Sequence, residues 1–314
     1  MMKKRYYFIS VILLLIVQIG CKNKSQTEDL KEPLNSEENI KTLSFDNYKF
    51  NYIDIGQGEP VVFVHGTIGD YRVWEAQIDT FSENHRVIAL SRRYAYPNNQ
   101  SINDSSDHSI SIHAEDLGGF LRKLDVGPVH LVGHSYGAFT SLVTTLENPE
   151  LVKSLSLGEP PVHSLLETLP ESEELRNEFI NNIIVPASKA IKEEKNEEAV
   201  ALFINGVIGD SLYYEKASQK EKDLMMDNIP ELRAMVTETD LLPSLDCQDF
   251  KNLNIPVLLI KGDRSPEFLR LIVDQLHECI KSSTLAELQN SSHGLEYENP
   301  ESFNEIVLEF IEKH

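Results

Sequence analysis

Residues 129–149, VHLVGHSYGAFTSLVTTLENP, narrow the choice of fold more than any other part of this chain. The stretch begins as an apolar strand and breaks at Gly133-His134-Ser135-Tyr136-Gly137. It then continues with the apolar spacing of a helix that stops near Pro149. A strand that enters a helix through so tight a turn needs small residues on either side of the apex. Gly133 and Gly137 supply them, with His134 filling the remaining elbow position. The Ser135 hydroxyl then projects from the carboxyl end of a sheet, above a helix amino terminus that favours negative charge. Five matching residues alone also occur as a plain structural turn. The strand before and the helix after favour a nucleophile.

The same alternation runs along the chain. PVVFVHG, HRVIAL, LVKSLSLG, IPVLLIKG and SSTLAELQ read as strands. WEAQIDTFSENH, SIHAEDLGGFLRKLDV, PEFLRLIVDQLHECI and PESFNEIVLEFIEKH read as helices, the second capped by Ser109 or Ser111. Strands alternating with helices predict a parallel sheet covered by helices on both faces. Upstream, LSFDNYKFNYIDIG alternates and then turns at Gly56 and Gly58, which predicts a hairpin. Between about Pro160 and Asn254 no apolar strand run occurs, and Glu, Lys, Leu and Met are plentiful. Residues 160–254 are therefore expected to form a helical cap inserted into a core of 43–159 and 255–314. With 314 residues, 41% of them hydrophobic, the chain can build one sizeable core around that insertion.

Two further segments carry chemistry. His65-Gly66-Thr67 closes the PVVFV strand, where glycine allows the sharp turn that faces a backbone N–H toward the serine. This predicts an oxyanion hole made by the N–H groups of Thr67 and Tyr136, with His65 and Gly66 supporting the loop. Of ten histidines, His293 in NSSHGLEYENP lies between the last strand and the last helix, where a general base can reach the serine from the same sheet edge. Trp74 and Phe139 are read as packing residues, with pocket lining as the alternative.

VHGT, GHSYGA, IKGDRSP and SSHGLEYENPESF occur in the order and spacing of the α/β-hydrolase superfamily, which the chain resembles from about residue 43 to the end. The resemblance implies an eight-stranded, mostly parallel sheet with a cap, Ser135 as nucleophile and His293 as base. One departure is LSRRYAYPN, where that family usually has an Asp and an Arg-Gly pair. Arg92 and Arg93 are read there as a surface or structural ion pair, with recognition of a substrate carboxylate as the alternative.

The third residue of the expected triad is the second departure. Members of the superfamily usually place an Asp three residues after the glycine that ends the strand read here as IPVLLIKG. Gly262 is instead followed by Asp263, Arg264 and Ser265. Haloalkane dehalogenases and some lactonases of the same superfamily carry the acid after strand six, which ends here in LSLGEPPVH. A lone carboxylate leaving a buried strand is costly without a partner, and Glu reaches one carbon further than Asp. Glu159 is the first choice for the acid and Asp263 the alternative. Pro160 and Pro161 are expected to stiffen the exit toward the cap.

The chain opens MMKKRYYFISVILLLIVQIGC, a basic start, an apolar run too short for a comfortable span, and a Cys after a small residue. This resembles a bacterial lipoprotein signal, although Gln18 stands where Leu is usual. It predicts a signal peptide over 1–20, lipidation of Cys21, a polar tether over 21–42, and an exported enzyme held by lipid at the cell envelope. Secretion without the anchor is the second choice. Cys247 and Cys279 are expected as unpaired or buried thiols, pairing being the alternative. A formal net charge of −21 argues against nucleic acid as a partner, and no Cys/His spacing suggests a metal. The expected reaction is hydrolysis of an ester or lactone of a small, partly apolar molecule through an acyl-enzyme, with no cofactor required. Cofactor-free haloperoxidation, C–C bond hydrolysis, peptidase action and non-enzymatic ligand binding by a lipoprotein are the alternatives.

Overall fold

Strands β1 (Ile40–Phe45), β2 (Tyr48–Ile55), β3 (Pro60–Val64), β4 (Arg86–Leu90), β5 (Val129–His134), β6 (Val152–Gly158), β7 (Val257–Gly262) and β8 (Ser283–Leu288) form one eight-stranded sheet. Its order is β1-β2-β4-β3-β5-β6-β7-β8. Only the β1–β2 and β2–β4 pairings are antiparallel. The structure is a computed structural model that describes residues 39–314 except 99, 101, 103–105, 170–171 and 239. The expected signal peptide, Cys21 and the tether up to residue 38 lie outside the described residues. The sheet already begins at Ile40, inside the segment read as tether. Among the described residues no helix is long and apolar enough to cross a membrane.

The apolar strand runs follow from burial on both faces. Val62, Val64, Leu131, Leu157 and Leu259 point to one face and join Phe120 of α2 (Ile110–Leu124), Phe139 of α3 (Tyr136–Glu147) and Ile272 of a later helix. Val61, Phe63, Val132, Leu258 and Ile260 alternate to the other face and meet Ile78 and Phe81 of α1 (Glu75–Phe81), with Phe303 and Val307. Trp74 is fully buried against Phe63 and Phe303, so it packs the sheet, as does Phe139. Ser109, not Ser111, caps α2: its Oγ accepts the Ile112 N–H at 3.3 Å.

The hairpin turns elsewhere than expected. β1 and β2 are joined by Asp46-Asn47, both at positive φ, with Phe45 opposite Tyr48. Such two-residue turns suit the strand twist, and Asp and Asn tolerate the left-handed region. Gly56 and Gly58 instead carry the chain from β2 toward β3. A Cβ on Gly56 would lie 2.2 Å from the His85 carbonyl oxygen.

Between β6 and β7 lie α4 (Ser172–Phe179), α5 (Val185–Lys192), α6 (Asn196–Ile208), α7 (Tyr213–Lys216), α8 (Gln219–Asp227) and α9 (Ile229–Thr237). A separate hydrophobic cluster here includes Ala187, Ile191, Phe203, Ile204, Leu232 and Val236. Both ends of the 160–254 segment belong elsewhere: Val162, Leu165, Leu166, Phe250 and Leu253 pack into the main core. The chain closes with α10 (Glu267–Cys279), β8, α11 (Leu295–Glu298) and α12 (Pro300–Glu312).

Cys247 and Cys279 form a disulfide, with Cα atoms 4.9 Å apart, which corrects the expectation of unpaired thiols. The return from the cap lies against the end of α10, a contact that the 32-residue separation hides.

Candidate active site

β3 leads to β4 on one side of the sheet, while β5 leads to β6 on the other. Where successive connections diverge, the carboxyl ends of the strands leave a crevice. The loops after β3 and β5 border it, and these hold His65-Gly66-Thr67 and Ser135.

Ser135 sits at φ 51°, ψ −121°, a strained conformation held by its surroundings. Its N–H donates to the Gly158 carbonyl at 2.7 Å. A Cβ on Gly137 would lie 2.2 Å from the Val64 carbonyl oxygen, and one on Gly133 would lie 2.6 Å from Ala138 Cα. Both glycines are therefore required by close backbone approach.

The Ser135 Oγ lies 2.9 Å from His293 Nε2, and His293 Nδ1 lies 2.6 Å from Glu159 Oε2. Glu159 is fully buried, and its other oxygen accepts the Gly262 N–H at 2.8 Å. Glu159 leaves β6 at φ 46°, directly before Pro160 and Pro161. With Nδ1–H donated to Glu159, the Nε2 lone pair faces the serine hydroxyl. Asp263 takes no part in the Glu159–His293–Ser135 hydrogen-bonded triad. Its Oδ1 accepts the Ser291 N–H at 3.0 Å, bracing the loop that carries His293.

His134 and Glu296 form a pair that nothing local in the sequence marks. His134 Nε2 lies 2.7 Å from the His293 carbonyl oxygen, and Nδ1 lies 3.0 Å from Glu296 Oε1. Burial alone would push the His134 imidazole down. The charge and hydrogen bond of Glu296, with Glu159 adding to them, hold it above its ordinary value. A protonated His134 donates both ring N–H groups and fixes the backbone of His293.

Tyr136 opens α3, so its N–H is one of the helix's orphan donors. Gly66 approaches the nucleophile closely: a Cβ there would lie 3.1 Å from Ser135 Cβ. His65 Nε2 accepts the Arg92 N–H at 2.9 Å, so Nδ1 carries the proton and donates to the Gly66 carbonyl at 2.8 Å. Burial and the nearby Arg92 charge hold His65 well below its ordinary pKa, consistent with that neutral ring.

Arg92 and Arg93 are buried structural cations rather than surface ones. Arg93 makes two 2.6 Å contacts with Asp116. Arg92 donates to the carbonyls of His65 and Gly66 and to Glu231 of α9. Neither guanidinium lines the cavity described next. LSRRYAYPN drew attention to Arg92, whereas nothing local in the chain marks Glu231.

A cavity of about 530 Å³ opens above Ser135 and His293. Ile68 and Val73 from the loop after β3, with Phe203, Ile204, Val207, Leu224 and Met225 from the cap, form its apolar walls. The charged side chains on its walls are already engaged. Arg72 pairs with Asp70 and Asp227, Lys220 with Glu75, and Glu296 with His134, while Glu221 completes a capping box with Ser218.

Residues 59–186 match the family model described as alpha/beta hydrolase fold. The chain is 22% identical over 276 residues to the (E)-2-((N-methylformamido)methylene)succinate hydrolase of Acinetobacter baylyi, covering 87% of this chain and 98% of that protein. Among solved structures it is similar to the carboxylesterase CesB of Bacillus subtilis, with TM-score 0.67, 19% identity, and coverage of 87% and 90% of the two chains. It is similar also to Est816, an N-acyl homoserine lactone degrading enzyme, with TM-score 0.67, 20% identity, and coverage of 86% and 100%. Sheet order, the match over residues 59–186 and these neighbours show that this chain has the α/β-hydrolase fold.

Proposed function

We propose that this protein is a serine hydrolase that cleaves a carboxylic ester or lactone through an acyl-enzyme. The observation that carries the reading is the continuous Glu159–His293–Ser135 hydrogen-bonded chain at the foot of the cavity, with steps of 2.6 and 2.9 Å. His293 takes the proton as Ser135 Oγ attacks the carbonyl carbon, and the N–H groups of Thr67 and Tyr136 receive the developing oxyanion. Collapse breaks the C–O bond to the leaving alcohol, which takes the proton back from His293. Water, deprotonated by His293, then attacks the acyl carbon and frees Ser135 and the carboxylic acid. The carboxylesterase CesB and the lactone-degrading Est816 lend this reading support by shared fold alone.

The substrate is a small, mostly apolar, uncharged molecule. The cavity volume suits such a ligand, and every wall cation already has an anionic partner. Among the described residues lining the cavity, a substrate carboxylate would find no positive charge without an anionic partner. The Cys247–Cys279 disulfide supports the proposal of export, since such bonds persist in oxidising compartments. Lipid attachment at Cys21 remains part of that proposal. The test is a series of aryl esters of increasing acyl length and a matching lactone series, with Ser135→Ala as control. Turnover that rises with apolar acyl length and vanishes in Ser135→Ala is expected. Turnover that survives in Ser135→Ala would refute the acyl-enzyme.

A further inference from the structure

We propose that Arg92 and Glu231 are positioning residues: an ion pair through which the seated cap aims the Thr67 N–H into the oxyanion hole. This rests on the serine-hydrolase reading above and adds a link between cap and chemistry.

The geometry starts from one peptide unit. Gly66 C=O and Thr67 N–H belong to the same trans peptide, so they point in opposite directions. Whatever holds the carbonyl therefore aims the N–H. Two donors hold it: His65 Nδ1 at 2.8 Å and Arg92 Nη2 at 3.1 Å. Arg92 Nε also donates to the His65 carbonyl at 3.2 Å, which fixes the preceding peptide. A cationic donor on the carbonyl polarises the shared amide and strengthens its N–H as a donor.

Arg92 is in turn held by the cap. Its Nη2 donates to Glu231 Oε2 of α9 at 2.5 Å, and its guanidinium lies 4.9 Å from the ring centre of Tyr136. A single nitrogen thus bridges the Gly66 carbonyl and a cap carboxylate. Both side chains are about 4% exposed, so water offers little competition. Companion contacts seat the same cap edge: Asn228 Nδ2 donates to Asp70 at 2.7 Å, and Asn228 Oδ1 accepts the Tyr96 N–H at 2.8 Å.

The ionisable groups around Glu231 set how this pair responds to pH. Arg92 faces it from the loop after β4, and Asp70 from the loop after β3. His108, His113 and Tyr136 line the same small cavity beside Thr67. The second Glu231 oxygen is buried without a hydrogen-bond partner among the described residues. Burial pushes the Glu231 carboxyl up to about 7, with Arg92 opposing and Asp70 adding. Below that value Glu231 is neutral and its hold on Arg92 weakens; above it the pair is complete.

The experiment compares wild type with Glu231→Gln on a neutral aryl ester and a neutral fluorophosphonate, from about pH 5.5 to about pH 8.5. Gln keeps the shape but mimics the neutral acid at every pH. The expected result is a kcat about tenfold lower at the high end, a fraction of the 10²–10³ lost with a whole oxyanion donor, with KM nearly unchanged. The wild-type to variant ratio should then shrink toward one at the low end. A ratio flat across pH, or a change in KM alone, overturns the proposal. If Glu231→Gln does not fold, Arg92→Lys takes its place: it keeps the charge but loses the planar fork whose Nε and Nη2 hold the two carbonyls and Glu231, so kcat should fall at constant KM. An unchanged kcat there overturns the proposal as well. Wild type that fluorophosphonate does not label would instead sink the serine-hydrolase reading itself.

Discussion

Replacing Glu159 by Gln tests the acid assignment with little change in volume. Glu159 is fully buried and accepts two hydrogen bonds, one from His293 Nδ1–H at 2.6 Å and one from the Gly262 N–H at 2.8 Å. A Gln must still accept from Gly262, so its oxygen stays on that side and its NH₂ turns to His293. The ring is then driven to the tautomer with Nδ1 as acceptor and Nε2–H against Ser135, which cannot take the serine proton. Loss of the correct tautomer costs about 10³–10⁴ in kcat, or about 4–5.5 kcal/mol of transition-state stabilisation. The assay is kcat/KM on a neutral aryl ester, with a thermal melt to establish that the variant is folded. Asp263→Asn serves as the comparison, and it should stay within about tenfold of wild type because Asp263 contacts the Ser291 N–H rather than His293. A folded Glu159→Gln of near wild-type activity, with Asp263→Asn disabled, would refute the reasoning.

Reducing the Cys247–Cys279 bond, or replacing both residues by Ser, should lower stability by about 3–4 kcal/mol on the chain-entropy account of a 32-residue span. That corresponds to roughly 5–10 °C in the melting midpoint, and an unchanged melt would contradict it. His134 gives a pH signature. Its folded pKa is raised, so its protonation supports folding below the ordinary imidazole range and that support fades as pH climbs through the raised value. The melting midpoint should therefore decline over that interval in wild type and decline less in Glu296→Gln; parallel profiles would contradict the pairing.

Much of the site is legible because its parts are encoded locally. Gly133 and Gly137 stand where a Cβ would strike backbone, so the elbow advertises itself in five consecutive residues. Glu159 becomes visible by exclusion, since Ser265 occupies the usual acid position and a buried strand ends in a carboxylate. What stays hidden is set by contacts between distant segments. Arg92 and Glu231 are 139 residues apart, and His134 at the end of β5 meets Glu296 of α11, far along the chain. Glycines outrank Asp-Asn as turn signals, which points the hairpin to Gly56 and Gly58, although a two-residue loop needs only the two left-handed residues Asp46 and Asn47. Helical periodicity likewise does not say which core the ends of an inserted segment join, and Val162 and Phe250 pack into the main core.

The most direct test of the account is labelling of the intact protein with a neutral fluorophosphonate, followed by mass mapping of the modified peptide. The account predicts one adduct, on Ser135, lost in Ser135→Ala and strongly slowed in His293→Gln, since Ser135 Oγ lies 2.9 Å from His293 Nε2 at the open foot of the cavity. An unlabelled wild type, or an adduct elsewhere with Ser135 free, would contradict it.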